Sequence, residues 1–220
     1  MPILAVAIVV LFVVLIARWW SEKARLARTL REAPRVDIRA MPEGARARVV
    51  GTVTAHGATL RAPLTGRACV AYVAQVEERI STGKTSYWTN RIHEVKSVPF
   101  AIDDGTGRAI VDPGAAQLLV EMDATTKSGA FDDATPIEAD FLRRHGMAST
   151  GWFFNKTLRY VEGVIEPGER VAVLGQAVRE PDPDAAGQVT GYRDALPTRP
   201  RIGGTPAQPI LVSDRADTTR

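Results

Sequence analysis

The stretch Pro99–Gly114, PFAIDDGTGRAIVDPG, decides the fold. From Val98 to Ile102 apolar residues alternate with small or polar ones, and Ala109–Val111 form a second short apolar run. The residues between these runs, Asp103–Gly107, are of the types that tolerate positive φ angles and close tight turns. This arrangement predicts a β-hairpin.

The adjacent Asp103 and Asp104 also suggest a catalytic loop. The phosphoryl-transfer motif Asp-x-Asp-Gly-Thr needs a nucleophilic aspartate where this sequence has Ile102, and a hydrocarbon cannot attack phosphorus. A phosphate-binding loop fails similarly at STGKTS, because Glu78 stands where that motif needs glycine. The sequence contains no Gly-x-Ser-x-Gly. We therefore predict no catalytic, cofactor-binding or metal-binding residues and no cofactor.

Outward from the hairpin, alternating segments predict further strands, including a long one from Cys69 to Glu77. The segment STGKTSYWTNR that follows is expected to be a polar hairpin loop. One helix is clearly marked. Gly51 in the first strand predicts a bulge or a close backbone approach. The helix has Thr135 as its N-cap and Glu138 to complete a capping box. We expect it to bury Ile137, Phe141 and Leu142 and to stop at Gly146. The predicted fold class is mainly β, barrel-like or sandwich-like, with one short helix, preceded by an N-terminal transmembrane helix and a helical stalk.

The N-terminal segment carries no charged side chain from Pro2 to Ala17. Sixteen residues of helix span roughly 24 Å, short of a hydrocarbon core of about 30 Å. The helix can still span the core if the Arg18 side chain snorkels to the interface and Trp19 and Trp20 lie among the headgroups. A cleaved signal peptide is the alternative, but no basic residue precedes the apolar run and Leu15 with Ala17 make a poor cleavage site. We predict a transmembrane helix over residues 1–20.

The residues after this segment are strongly basic. Lys23 and Arg25 join Arg18, Trp19 and Trp20 as expected membrane contacts, although a solvated helix face is the alternative for the basic residues. Because cytoplasmic flanks carry the lysine and arginine excess, we expect a single-pass cell-membrane protein with a cytoplasmic C-terminal domain. Predicted boundaries are a juxtamembrane stalk at 21–39, a β-rich domain at 40–214 and a tail at 215–220.

Isolated aromatic, cysteine and histidine residues offer weaker signals. Trp152, Phe153 and Phe154 cannot all point inward from one strand. Core packing is the default for them, and a protein-binding or membrane-contact patch is the alternative that makes them candidate interaction residues. Cys69 is the single cysteine and is expected to be buried. His93 and Glu94 are adjacent, so on a strand they face opposite sides and would not share a metal ion.

Four segments together resemble the GIDE domain, also called the beside-a-membrane domain, over residues 40–214: MPEGARARVVGTV, LRAPLTGRACVAYVAQVEE, PFAIDDGTGRAIVDP and RYVEGVIEPGERVAVLGQAV. The resemblance implies kinship with a membrane-anchored mitochondrial E3 ubiquitin ligase in which a zinc-binding RING follows this domain. The resemblance is to a bacterial-type relative of that ligase, without the RING. One cysteine and three histidines cannot supply a RING's ligands, so ligase chemistry does not carry over.

These observations favour a membrane-anchored, non-catalytic interaction or sensing module. Its expected partners are the lipid bilayer and a protein or ligand near it. Nucleic acid is not expected, because the basic residues cluster beside the membrane segment. Two alternatives stay open. The chain is either a subunit of a larger membrane complex or a hydrolase whose site, built from Asp103, Asp104, Asp112 and His93, assembles only in the fold.

Overall fold

The computed structural model describes residues 22–114, 116–128, 134–147, 156–185 and 197–220. Within them, residues 22–32 are helical (α1), Ile38–Ala40 form a 3-10 turn and Pro136–Arg144 form a second helix (α2). The strands are β1 (Arg46–Ala55), β2 (Leu60–Arg61), β3 (Ala68–Cys69), β4 (Ala71–Ser81), β5 (Ser86–Ser97), β6 (Phe100–Asp103), β7 (Arg108–Val111), β8 (Gln117–Leu119), β9 (Ala124–Ser128), β10 (Leu158–Ile165), β11 (Arg170–Pro181), β12 (Thr198–Gly203) and β13 (Leu211–Ser213).

Five strands close into a barrel in the order β1-β6-β7-β12-β11, and β11 pairs back onto β1. The β6–β7 hairpin predicted from the sequence is confirmed, with Phe100 opposite Val111 and Asp103 opposite Arg108. Only the β7–β12 pairing of this ring is parallel. Taken as barrel strands one to five, the order 1-2-3-5-4 is that of a Greek-key barrel of the OB type.

The barrel closes because β1 changes partners partway along its length. Residues Arg46 to Thr52 pair with β11, and Thr52 to Ala55 pair with β6. At this corner lies Gly51, where a β-carbon would stand 2.7 Å from the carbonyl oxygen of Asp103. A side chain there would collide with backbone, so the close approach predicted for Gly51 is confirmed.

A second, antiparallel sheet has the order β5-β4-β10-β9. Its strands come from two insertions into the barrel, one between β1 and β6 and the other between β7 and β11. They join where β4 pairs with β10, from Ala71 opposite Ile165 to Glu78 opposite Leu158. The insertions thus build a common layer that neither could form alone.

Strand β4 lies between two cores. Its residues Ala71 and Val73 pack in the barrel cluster, whereas Tyr72, Ala74 and Val76 pack with α2. Alternate residues of a strand point to opposite faces, so this division follows directly from the sequence pattern. Gln75 therefore lies on the same face as Val73, toward the barrel and α1.

The capping box predicted for α2 is confirmed: Thr135 and Glu138 exchange side-chain and backbone hydrogen bonds. Gly146 follows the helix with a φ of 71°, as a C-terminal stop requires. Phe141 and Leu142 are buried as expected. The prediction for Ile137 is wrong, because it is 52 % exposed. It lies in the first turn, where the buried side chain is instead Glu138, which accepts hydrogen bonds from Thr126 and Thr135.

Candidate functional site

Helix α1 is part of the folded body. Ala27 and Leu30 are buried, and Leu26 and Ala33 pack beside them. The surface beneath belongs to the barrel and its extension and is formed by Val50, Leu119, Ala172, Leu174 and Leu211. The segment predicted as a stalk is therefore helical over residues 22–32 and lies against the domain.

A basic groove runs between α1 and the C-terminal segment. It has a volume of about 420 Å³ and is lined by Lys23, Ala24, Ala27, Arg28, Arg31, Arg215 and Asp217. Asp217 is its single carboxylate and binds Arg31 at 2.8 Å and Arg215 at 3.0 Å. Partial burial and then the charge of Arg215 lower the pKa of Lys23. Four cations facing one carboxylate leave the groove positively charged and suited to anions.

Only some of the predicted membrane-contact residues lie in the described part of the chain. Arg18, Trp19 and Trp20 lie outside the described residues, as does the predicted transmembrane helix. Lys23 is half-buried at the groove, and Arg25 is exposed on α1. In the part of the chain that the structure describes, no helix is both long and apolar enough to cross a membrane. The candidate interaction residues Trp152, Phe153 and Phe154 also lie outside the described residues.

The residues of the alternative hydrolase site are not brought together. Asp104 accepts hydrogen bonds from the amides of Thr106 and Ile38, each at 2.8 Å, and Asp103 accepts one from the amide of Gly105. These contacts fix the β6–β7 turn. Asp112 lies beyond β7, whereas His93 lies on β5 in the other sheet.

Asp104 also has the wrong electrostatics for a catalytic base. Burial alone would raise the pKa of its carboxyl, but hydrogen bonds from Ile38, Thr106 and Gly107 outweigh burial and lower it. A general base works best with a pKa near the operating pH. The geometry of Asp103 and Asp104 is thus that of a turn, as the hairpin interpretation predicted.

A cluster of ionisable groups joins α2 to the second sheet. Glu94 on β5 accepts hydrogen bonds from the Tyr72 hydroxyl and from Lys96 Nζ at 3.0 Å, and its other oxygen lies 2.7 Å from His145 Nε2. The His145 ring also packs edge-on against Phe141, 4.8 Å between centroids. Sequence reasoning missed this cluster, because His145 is 51 residues from Glu94.

Glu94 is held as a carboxylate by its partners. Burial would raise its pKa, but the hydrogen bonds from Tyr72, Lys96 and His145 outweigh burial and lower the pKa to about 2. Burial and the bond to Glu94 raise the pKa of Tyr72. Neither Glu94 nor Tyr72 is poised to exchange a proton near neutral pH, and their contacts fasten α2 to the sheet.

Cys69 is buried as predicted, and burial raises the pKa of its thiol to about 11. A thiol with that pKa is protonated at neutral pH and is a poor nucleophile. Among the described residues, no group of three or more histidine, cysteine, aspartate or glutamate side chains could hold a metal ion.

Comparison with known proteins identifies the family of this chain. Residues 71–186 match the family model GIDE, described as E3 ubiquitin ligase, and the match covers more than half of the chain. This chain therefore belongs to the GIDE family. A stretch of 85 residues is 34 % identical to the E3 ubiquitin-protein ligase SPL1 of Arabidopsis thaliana, covering 39 % of this chain and 24 % of that relative. The match thus spans about a quarter of the relative's length. No solved structure matches.

Proposed function

We propose that this GIDE-family chain is a membrane-anchored interaction or sensing module with no catalytic chemistry of its own, its C-terminal domain lying at the cytoplasmic face of the cell membrane. The observation that carries the proposal is the docking of α1. The helix follows directly on the apolar, predicted membrane segment, and Leu30 is fully buried against the barrel. A domain tied to its anchor in this way stays close to the bilayer.

The basic groove beside α1 supports the same proposal. A lysine or arginine near an anionic leaflet contributes about 1 kcal/mol of attraction. Arg28 and exposed Arg25 lie one turn apart on α1, so they reach toward the same surroundings. Anionic lipid headgroups match this charge and would reinforce the anchor.

Membrane extraction tests the anchor. Membranes from cells that express the full chain are washed with alkaline carbonate, and a reporter that is active only in the cytoplasm is fused to the C-terminus. We expect the full-length chain to stay in the membrane pellet with an active reporter. A soluble chain that lacks its first twenty or so residues would overturn the anchor, and an inactive reporter would overturn the orientation.

A second experiment tests the contact with anionic lipid. The full chain is placed in nanodiscs of neutral lipid, or of neutral lipid with an added anionic lipid, and the melting temperature of each is measured. Anionic lipid should raise the melting temperature by about 2–4 °C for each kcal/mol gained. Arg28→Gln should reduce that rise, whereas Lys84→Gln, in the β4–β5 turn, should not. Equal effects of the two variants would remove the groove from the proposal.

Ubiquitin-ligase activity is that of the Arabidopsis relative and is not proposed for these residues alone. A RING binds two zinc ions through cysteine and histidine ligands, about four for each ion. This sequence has one cysteine and three histidines. In a ligase-like assembly the zinc-binding part would come from outside these residues, as in the larger-complex alternative.

A further inference from the structure

A second cavity, of about 280 Å³, lies on the other side of α1, where this helix passes over the second sheet. Its floor is the face of β4 and β5 that carries Val73, Gln75, His93 and Val95. The strand β8 and the residues after it form one wall, and the first turn of α1 forms the other. The remaining lining residues are Glu22, Lys23, Leu26, Ala116, Gln117, Leu118, Leu119, Val120 and Met122.

Gln75 is the informative residue of this cavity. Its side chain is only 3 % exposed, and its Nε2 has no hydrogen-bond partner among the described residues. Buried polar atoms in native proteins nearly always have a partner, so an orphaned donor that lines a cavity indicates an acceptor supplied from outside the chain.

The groups around Gln75 favour an anionic acceptor. His93 lies directly opposite Gln75 in the β4–β5 register, so the two side chains share a face of the sheet. Lys23 approaches from α1, and partial burial together with the Lys23 charge lowers the pKa of His93. Among the described residues, Glu22 is the single carboxylate that lines the cavity. A bound anion would accept from the Gln75 amide and lie near the Lys23 ammonium.

Apart from Gln117, the rest of the lining is apolar. Leu26, Val73 and Leu118 are joined by Val95, Ala116, Leu119, Val120 and Met122. The cavity's volume is close to the lower end of the range of ligand sites, about 300–1,000 Å³, so it suits one short hydrocarbon chain better than a two-chain lipid. It opens to solvent beside Val95, which is 43 % exposed.

We propose that this cavity binds the carboxylate end of a single-chain amphiphile, with the carboxylate on Gln75 Nε2 and the hydrocarbon chain along Val73, Leu118 and Val120. The same chemistry is found in fatty acids from a bilayer and in short soluble acids, and the length of the hydrocarbon chain distinguishes these two sources. The inference does not depend on the membrane anchor.

The test uses the full chain in neutral nanodiscs and decanoate labelled with ¹³C at its carboxyl carbon, with decanol and butyrate as matched probes. Binding is measured from the carboxyl NMR shift and from the change in melting temperature. We expect decanoate to bind at least tenfold more tightly than decanol or butyrate. Butyrate binding as tightly as decanoate would overturn the fatty-acid source, and decanol binding as tightly would overturn the role of the carboxylate.

Variants separate binding from a packing defect. Gln75→Leu should weaken decanoate at least tenfold while leaving the melting temperature of the free protein unchanged or higher, because it removes an orphaned donor. Gln208→Leu, at an exposed position, should leave decanoate binding unchanged. Leu118→Phe, which narrows the cavity, gives an independent readout should Gln75→Leu fail to fold, and it too should weaken decanoate. Undiminished binding in both cavity variants, or no binding to the unaltered chain, would overturn the proposal.

Discussion

Replacing Glu94 by glutamine should make the free energy of unfolding of this protein depend less on pH in the acidic range. The substitution keeps the shape of the side chain and removes its charge, while Tyr72, Lys96 and His145 stay in place. The pKa of folded Glu94 is about 2, against 4.5 for an unperturbed glutamate. At about 1.4 kcal/mol per unit of pKa, this difference corresponds to roughly 3 kcal/mol. The Glu94 side chain is only 10 % exposed, so solvent screening reduces this value little.

The sign of the effect follows from the direction of the pKa change. The pKa of Glu94 is lower in the folded than in the unfolded protein. The stabilisation by Glu94 is therefore complete above a pH of about 4.5 and is lost as the pH falls toward 2. The unaltered chain should therefore exceed Glu94→Gln in free energy of unfolding by roughly 3 kcal/mol at pH 7. At pH 2 the difference should fall below about 1 kcal/mol.

Urea unfolding of both chains in neutral detergent at pH 7, 5, 3 and 2 measures this difference. Asp140→Asn is the matched control, because Asp140 is 55 % exposed and forms its ion pairs with Arg143 and Arg144 on its own helix. Such exposed pairs contribute at most about 1 kcal/mol. If the difference for Glu94→Gln were the same at every pH, or no larger than that for Asp140→Asn, the buried-carboxylate argument would be refuted.

Three further substitutions test how the elements are joined. Leu30→Ala should cost about 2–5 kcal/mol in urea unfolding, because Leu30 is fully buried under α1, whereas Arg25→Ala on the exposed face should cost little. Gly163→Ala should cost about 1–3 kcal/mol or more, because the new β-carbon would lie 2.3 Å from the Glu121 carbonyl oxygen. Gly203→Ala, with its nearest neighbour at 4.0 Å, is the control. Asp104→Ala should cost about 1–3 kcal/mol and exceed Asp103→Ala, because Asp104 also binds the Ile38 amide, 66 residues away. Equal costs within any of these pairs would contradict the contact in question.

Local sequence patterns were sufficient to predict the elements that a few adjacent residues specify. The β6–β7 turn needs residues tolerant of positive φ, and α2 needs a capping box, so both could be recognised from a few adjacent residues. The prediction of a mainly β body is confirmed, and the structure makes it a five-stranded barrel with a second sheet and two helices. The long β4 strand was also predicted, because its two faces alternate between two cores.

Elements stabilised by distant partners were not predicted. Strand β12 has the sequence TRPRIG, in which arginine, proline and glycine give little strand signal, yet it completes the barrel by pairing with β7 and β11. Strand β9 is polar and edges the second sheet beside β10. The segment SYWTNR was expected to be a loop, but it belongs to β5, which continues to pair with β4 as far as Ser86. Tertiary pairing overrode weak local preference in each case.

The same reason explains why the cavity beneath α1 could not be found as a motif. Its polar groups come from α1, β4, β5 and β8. They meet only because two insertions of a barrel pair with each other and α1 crosses both layers. Helix α1 supplies a wall of this cavity and one side of the basic groove, with Lys23 in both. A ligand in the cavity or in the basic groove should therefore bind only when α1 is docked through Leu30. By linkage, a ligand in one place should then strengthen ligand binding in the other. In the proposed arrangement, the position of one helix would connect the lipid surface to the small-molecule site.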